Sequence, residues 1–331
     1  THLPAFEVQS KSQQLPLYGY TAVVLYRDDL YAAAIYTDEN HKWDPVHYNT
    51  RELKKLVRRV KKDLPDNRIV EQVANCSLNW HCCTAQNLFY RRWECGIPTS
   101  PTCNANCLGC ISLQAAECCP SPQSRITFKP TVEEISAVGI YHLSHAAEGI
   151  ISFGQGCEGE PLTEAPLLIE AVQKFRAAGG TGTVNLNSNA SRPDAIAKLA
   201  EAGLSSLRVS LNSARQEVYA RYYRPTNFCF DDVCRSIKEA HARGVFVSLN
   251  LLYFPGITDC EEEIAALAAM INAYGVQFIQ LRNLNIDPEI YLALLDGIVF
   301  GPSVGLANFR KRLLKQCPGL RFGYFNPYVG Y

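Results

Sequence analysis

The sequence has no apolar run near the roughly 18 residues that a membrane-spanning helix needs. Residues 1–15 (THLPAFEVQSKSQQL) lack the apolar core of a secretory signal. The expected compartment is the cytoplasm, with no membrane partner. Neither sign of charge is in excess: 32 Lys+Arg stand against 32 Asp+Glu. A balanced chain has no global attraction for nucleic acid or anionic lipid. There is no internal repeat and no low-complexity tract. Charged residues make up 19% and hydrophobic residues 47% of the 331 positions, a composition that supports a packed core and excludes a disordered or collagen-like chain. The length suits two domains, or one barrel with an extension.

Cysteine is what the chain has in excess. There are 14, and nine of them lie between Cys76 and Cys119. Disulfide-dense chains are usually short and secreted. Clustered thiols in a long chain without a signal suggest metal binding or redox chemistry.

Residues 18–26 and 30–36 read as a hairpin turning at Arg27-Asp28-Asp29. In 50–64, Leu53, Leu56, Val57, Val60 and Leu64 make one helical apolar stripe, stopped by Pro65. Residues 76–98 show no clean period and read as a linker or wrapping segment. Beyond them strands and helices alternate. A first strand is expected near 97–101. A capping box at Thr131–Glu134 opens a helix to about 146. Strands follow at 149–153, 182–187, 206–211, 245–252 and 276–282, separated by helices at 164–178, 193–202, 214–223, 230–242 and 260–274. This alternation predicts a parallel sheet with right-handed connections and helices outside. Six strands are too few for a closed eight-stranded barrel. The expected fold class is therefore α/β, a partial (β/α)6 TIM-like barrel over 97–290. It follows a small N-terminal α/β unit with a Cys-rich linker (1–96). A C-terminal extension (291–331) carries a helix at 306–316 and a strand-like end at 319–325.

Cys103, Cys107 and Cys110 have the spacing C-x3-C-x2-C in the loop after the first strand. Three thiolates on a short loop can hold three irons of a [4Fe–4S] cube and leave the fourth open. Zinc sites more often pair two C-x2-4-C or His units. Three buried thiols, or half of a zinc site, remain the other readings of the spacing alone. The next strand ends in GQGCEGEPL (154–162). Gly159, Glu160 and Pro161 put a flexible residue, a carboxylate and a rigid stop at the strand's C-terminal edge, where ligands bind in such folds. Taken alone, an ordinary strand–helix turn would look the same.

Together these two features resemble the radical S-adenosylmethionine (radical SAM) superfamily. Its C-x3-C-x2-C motif follows strand one, and its GGEP-like loop follows strand two. The resemblance covers about residues 97–290. Two positions depart from the pattern. Gly109 stands where an aromatic often precedes the third cysteine, which weakens packing against adenine but not ligation. Glu158 replaces the first glycine of the second motif.

The resemblance implies a [4Fe–4S] cluster on Cys103, Cys107 and Cys110, with S-adenosylmethionine (SAM) chelating the open iron. A reductant such as flavodoxin or ferredoxin would supply one electron, giving methionine and a 5′-deoxyadenosyl radical that abstracts hydrogen from a substrate. The cofactor carries that chemistry, and the protein positions it and excludes water. The Gly159–Glu160 segment would receive the SAM amine. Asn187, Ser210 and Asn212, at the ends of strands three and four, would face ribose hydroxyls, although Asn and Ser also serve turns. Arg221 would clamp the SAM carboxylate or be a surface helix arginine. Arg282, Asn283 and Asn285 stand on the substrate side.

Cys76, Cys82, Cys83, Cys95, Cys118 and Cys119 are surplus. Four of them, with Cys157 as a further candidate, are expected to hold a second iron–sulfur cluster. Buried packing thiols and a zinc site are the alternatives. His81 adjoins Cys82. Cys229, Cys234, Cys260 and Cys317 read as core residues. The 50–64 helix carries seven Lys and Arg, and 88–93 mixes aromatics with arginines, so RNA docking is conceivable though a solvated face is favoured. The expected substrate is a peptide or protein, or a small biosynthetic intermediate. tRNA modification and a non-catalytic iron–sulfur or zinc scaffold are the alternatives.

Overall fold

A computed structural model describes residues 23–32, 41–113 and 125–331. Strand β1 (Val23–Tyr26) pairs antiparallel with β2 (Asp29–Ala32). Arg27 and Asp28 make the turn at φ 50 and 67, the left-handed pair that a two-residue hairpin uses. The expected outer ends of this hairpin, 18–22 and 33–36, lie outside the described residues.

Helix α1 (Leu53–Asp63) buries Leu53, Val57 and Val60 and stops before Pro65. Residues read as a linker instead complete helix α2 (Arg68–Leu78) and form α3 (Cys83–Tyr90). Asn67 caps α2, its Oδ1 accepting from Ile69 N and Val70 N at 3.0 and 3.2 Å. The buried face here includes Ser77, Gln86 and Asn87, so no apolar period marks it. Tyr48 Oη donates to Asn87 Oδ1 at 3.1 Å, and Asn49 N donates to Gln86 Oε1 at 2.8 Å. The apolar faces of α1–α3 belong to the same core as the sheet and its helices.

The main sheet opens with β3 (Glu94–Gly96), slightly before the expected 97–101. Ile97 extends its ladder by donating to Ser152 O at 2.9 Å. There follow α4 (Val132–His145), β4 (Ile150–Phe153), α5 (Ala165–Ala177), β5 (Thr183–Ser188), α6 (Pro193–Ala202) and β6 (Ser206–Leu211). Then come α7 (Gln216–Tyr223), α8 (Phe230–Ala242), β7 (Phe246–Leu252), α9 (Glu261–Tyr274) and β8 (Phe278–Arg282). The predicted capping box on Thr131 and Glu134 is present. Helix α10 (Pro288–Leu294), which the sequence reading omits, is followed by α11 (Leu306–Gln316) and β9 (Arg321–Phe322). The sheet has seven strands in the order β3 to β9, one more than expected, because the tail's β9 pairs parallel with β8. This is the partial TIM-like barrel, with helices outside.

Along β6, Leu207, Val209 and Leu211 face the helices and alternate with Ser206, Arg208 and Ser210 on the inner face. The inside of the barrel is therefore polar. Ser206 Oγ donates to Asn185 Oδ1 at 2.9 Å, Asn185 Nδ2 to Ser152 Oγ at 3.1 Å, and Ser152 Oγ to Glu94 Oε1. The chain end closes this layer from below. Phe325 packs edge-on against Trp93, Asn326 Nδ2 donates to Glu94 Oε1 at 2.6 Å, and Val329 N donates to Thr183 Oγ1 at 2.8 Å. Residues 323–331 thus run from the C-terminal end of β9 across to the starts of β3 and β5.

Asn326→Ala should lower stability by about 1–3 kcal/mol, because it removes a buried donor from Glu94. Tyr328→Ala, at an exposed position of the same tail, should change it by under about 0.5 kcal/mol. Urea unfolding midpoints measure both. An unchanged midpoint for Asn326→Ala would remove the tail from the closure.

Candidate active site

The cysteine loop leaves β3 at Ile97 and is held on four sides. Glu158 makes the first attachment. Its Oε2 accepts from Thr99 N, Thr99 Oγ1 and Ser100 N at 2.7, 2.8 and 3.0 Å, and its Oε1 accepts from Gly154 N at 2.6 Å. Backbone pairing then runs alongside, Gly159 N to Ser100 O and Glu160 N to Thr102 O, both 2.7 Å. A Cβ on Gly159 would lie 1.9 Å from Thr102 O, so this approach requires glycine. The loop before Cys103 and the loop after β4 are therefore laced together.

From the side of β5, Asn189 Nδ2 donates to Asn104 Oδ1 at 2.8 Å, and Asn104 Nδ2 donates to Ser191 Oγ at 2.9 Å. From α7, the carbonyls of Tyr223 and Tyr222 accept from Asn106 N and Leu108 N, both at 3.1 Å. From beyond β8, Asn285 Nδ2 donates to Gly109 O at 2.9 Å. Arg125 Nη2 reaches Cys110 Sγ at 3.6 Å and Ser112 Oγ at 2.9 Å.

Cys103 is exposed, Cys107 and Cys110 are half-buried, and none of the three is in a disulfide. Burial pushes the Cys107 thiol up, and the charges of Cys103 and Cys110 push it the same way. Cys103, although exposed at the loop surface, is raised likewise, by partial desolvation of its thiol against the surrounding loops. Three thiolates near enough to repel one another fit a cationic iron centre, which stabilises all of them at once. Among the described residues, no three His, Cys, Asp or Glu side chains converge on a single-ion site.

Glu160 is buried, and its carboxylate is engaged. It accepts from Ser188 Oγ at 2.6 Å, Asn189 N at 2.8 Å and Leu162 N at 3.0 Å. It fixes the loop after β4 to the end of β5. Asn187 is similarly occupied, donating to Phe153 O at 2.8 Å and accepting from Asn185 at 3.2 Å. Asn212 is fully buried. Its Nδ2 donates to Val218 O at 3.2 Å, while its Oδ1 has no partner among the described residues, so it keeps an acceptor for a ligand. Ser210 is half-buried on the inner face of β6.

Arg221 corrects the expected carboxylate clamp. Its guanidinium donates to Leu294 O at 3.2 Å and Asp296 O at 2.6 Å, and pairs with Glu217. It caps α10, because its position on α7 turns it away from the carbonyls that meet the cysteine loop. Of the substrate-side candidates, Arg282 donates to Asn250 Oδ1 at 2.7 Å, Asn285 holds the loop as above, and Asn283 is exposed.

The surplus cysteines separate. Cys76, Cys82 and Cys157 line one cavity of about 50 Å³ with Val73, Gln155 and Gly96. Cys157 lies beside Cys76, and their proximity lowers the pKa of Cys76 and raises that of Cys157. Cys95 is fully buried in β3, its thiol donating to Gly96 O at 3.7 Å, and Cys83 is exposed. Cys118 and Cys119 lie outside the described residues. His81 contacts Asn49 Oδ1 at 3.0 Å. Cys234, Cys260 and Cys317 are buried as expected. Cys229 is exposed instead, at the N-cap of α8.

Two contributors escape the sequence reading. Glu158 figures there only as a missing glycine, yet it has the most donors around the loop. Tyr219, Tyr222 and Tyr223 form a stacked and edge-on cluster behind Cys107. Their i, i+3, i+4 spacing on α7 was the available signal.

Burial pushes the Glu158 carboxyl up to about 7, against four donors that pull it down. A carboxyl raised in the folded state contributes stability that is full below its ordinary value of 4.5 and lost as pH rises through about 7. Between those values the wild-type Tm should therefore fall relative to that of Glu158→Gln. Parallel pH profiles of the two proteins would refute this.

A sequence profile described as the Radical SAM superfamily matches residues 97–268, more than half of the chain. The FeMo cofactor biosynthesis protein NifB of Klebsiella pneumoniae is 21% identical over 235 residues, 67% of this chain and 48% of that protein. A radical SAM methyltransferase structure from Sphaerobacter thermophilus has a TM-score of 0.49 at 16% identity, covering 70% of this chain and 65% of that one. HydG, a maturase of the [FeFe]-hydrogenase, has a TM-score of 0.48 at 16% identity, covering 83% of this chain and 66% of its own. The chain spans about half the length of the curated relative. Among the described residues no helix is long and apolar enough to cross a membrane. With the cysteine loop, the laced Glu158-Gly159-Glu160-Pro161 segment and the matching profile, the chain belongs to the radical SAM superfamily.

Proposed function

We propose that the protein reductively cleaves SAM at the Cys103–Cys107–Cys110 loop and takes a hydrogen atom from a substrate held inside the barrel. The observation that carries this reading is the lacing of that loop to the Gly159–Glu160 backbone at the C-terminal edge of the sheet. When bound, a [4Fe–4S] cluster with one iron free of protein ligands supplies one-electron cleavage of SAM to methionine and a 5′-deoxyadenosyl radical. The protein's own residues bind and orient. The three thiols hold the irons, the Gly159–Glu160 segment receives the SAM amine, and Ser210 and Asn212 face the ribose. Asn187 and Glu160 position these strand ends rather than spending their side chains on a ligand. Tyr219, Tyr222 and Tyr223 wall off Cys107 from water. The polar interior below the loop favours a small polar molecule, or a polar side chain of a peptide, as substrate. A flavodoxin or ferredoxin is the proposed reductant.

Anaerobic protein with SAM and dithionite should release 5′-deoxyadenosine. Cys107→Ala should lose the product by at least about 100-fold, since removing one of three ligands leaves the cluster unheld. Wild-type protein that keeps its cluster yet forms no 5′-deoxyadenosine would favour an electron-carrier or scaffold role instead.

For the second iron–sulfur cluster, the surplus thiols give most support to Cys76, Cys82 and Cys157, which share one cavity. Iron and sulfide analysis after reconstitution should give about eight irons per chain, falling to about four in Cys76→Ala/Cys157→Ala. About four irons in the wild type, or an unchanged count in the double variant, would reduce the thiols to packing residues.

A further inference from the structure

Arg208 stands in the middle of β6, on the inner face it shares with Ser206 and Ser210. It is 6% exposed. Its Nε and Nη2 have no hydrogen-bond partner among the described residues. These two nitrogens form one side of the guanidinium fork, the side that matches the two oxygens of a carboxylate. A buried guanidinium with that edge unsatisfied is costly to keep. The carboxylate in its surroundings is Glu94, whose Oε1 is engaged by Ser152, Gln155 and Asn326 and to which neither Nε nor Nη2 of Arg208 hydrogen-bonds. A second cation, Arg282, adds positive potential and is held by Asn250 and Tyr324.

We infer that the barrel interior is a binding site for a small carboxylate-bearing substrate, with Arg208 clamping the carboxylate side-on. This rests on the hydrogen-abstraction reading and names the substrate class for the same site. The neighbouring groups narrow the chemistry. Gln280 Oε1 and Asn326 Oδ1 are also buried acceptors without partners. Gln280 is level with Ser210 in the register and Asn326 is bonded to Glu94, so they suit an ammonium or amide N–H elsewhere on the same small molecule and disfavour the several oxygens of a phosphate. Arg208 lies one inward step, roughly 6.6 Å, below Ser210 along the strand. That depth belongs to a substrate beneath the mouth rather than to SAM at the strand ends.

Thermal denaturation of the cluster-loaded full chain tests the inference, with acetate as the minimal carboxylate probe. Acetate should raise the Tm saturably, and equal acetamide or chloride should not. Arg208→Met should raise the half-saturating acetate concentration at least tenfold while leaving SAM affinity within twofold. With no ligand present, Arg208→Met should melt at or above the wild-type temperature, because it removes an unsatisfied buried charge. The inference is overturned if acetate acts no better than acetamide or if phosphate binds more tightly than acetate. It is also overturned if Arg208→Met loses SAM affinity tenfold or melts several degrees lower without ligand. None of these readouts depends on SAM cleavage, so failure of the radical reading would appear separately, as absent 5′-deoxyadenosine.

Discussion

The loop that carries the thiols depends on one buried carboxylate. Thiolates that repel one another do not stay close unless the chain beneath them is rigid, and a loop of polar backbone at a strand edge has few apolar contacts to make it so. Glu158 supplies the rigidity by gathering four donors from two separate segments. Its own desolvation is unfavourable, which is why burial raises its carboxyl while the donors oppose the rise. The backbone pairing of Gly159 and Glu160 with Ser100 and Thr102 follows from that anchor, because the glycine can approach the opposite chain only where the two loops are already in register.

A barrel whose inner face is polar is a second consequence of building a site rather than a core. Closed eight-stranded barrels fill their interior with branched apolar side chains. Here the inner positions of β4, β5 and β6 form a hydrogen-bonded chain that ends on Glu94, and the C-terminal tail closes it from below. The apolar contribution to stability therefore comes from outside the strands, where Leu207, Val209 and Leu211 and their counterparts meet the helices. That division lets the interior hold unsatisfied groups such as Arg208 without unravelling the sheet.

How far the sequence could be read follows from the same division. The helix over 132–145 was legible from its capping box, and the helices over 193–202 and 306–316 and the strands from β4 to β8 from the regular alternation of apolar strand-like runs with helical segments. The triad stood out because its spacing occurs together with the Glu158–Pro161 loop, whereas the spacing alone left packing thiols and half of a zinc site open. Helices α2 and α3 were not legible, since Ser77, Gln86 and Asn87 point inward and erase the period. Strand β9 falls within the strand-like end read at 319–325, but its place as a seventh strand follows only from its pairing with β8. The sequence left Arg221 open between a carboxylate clamp and a helix-surface arginine, because helical phase, not distance along the chain, decides which way it faces, and it faces α10. Glu158 was read as a lost glycine because its value lies in donors contributed by residues 99 and 100, nearly sixty positions away.

Gly109 illustrates the same point from the opposite direction. An aromatic residue before the third cysteine is the common arrangement, and its absence suggested a thinner wall at the site. In the fold that volume is already filled. A Cβ on Gly109 would meet Tyr222 Oη at 2.6 Å and Asn285 Oδ1 at 2.5 Å. The ring arrives from α7 instead of from the loop, and the loop gives way by carrying glycine. Tyr222 is tied in turn to Tyr223 and Tyr291 by edge-on contacts, so the aromatic wall is set by the packing of α7 against α10. Arg221 serves that packing by capping α10, which gives it an indirect bearing on the site it does not touch.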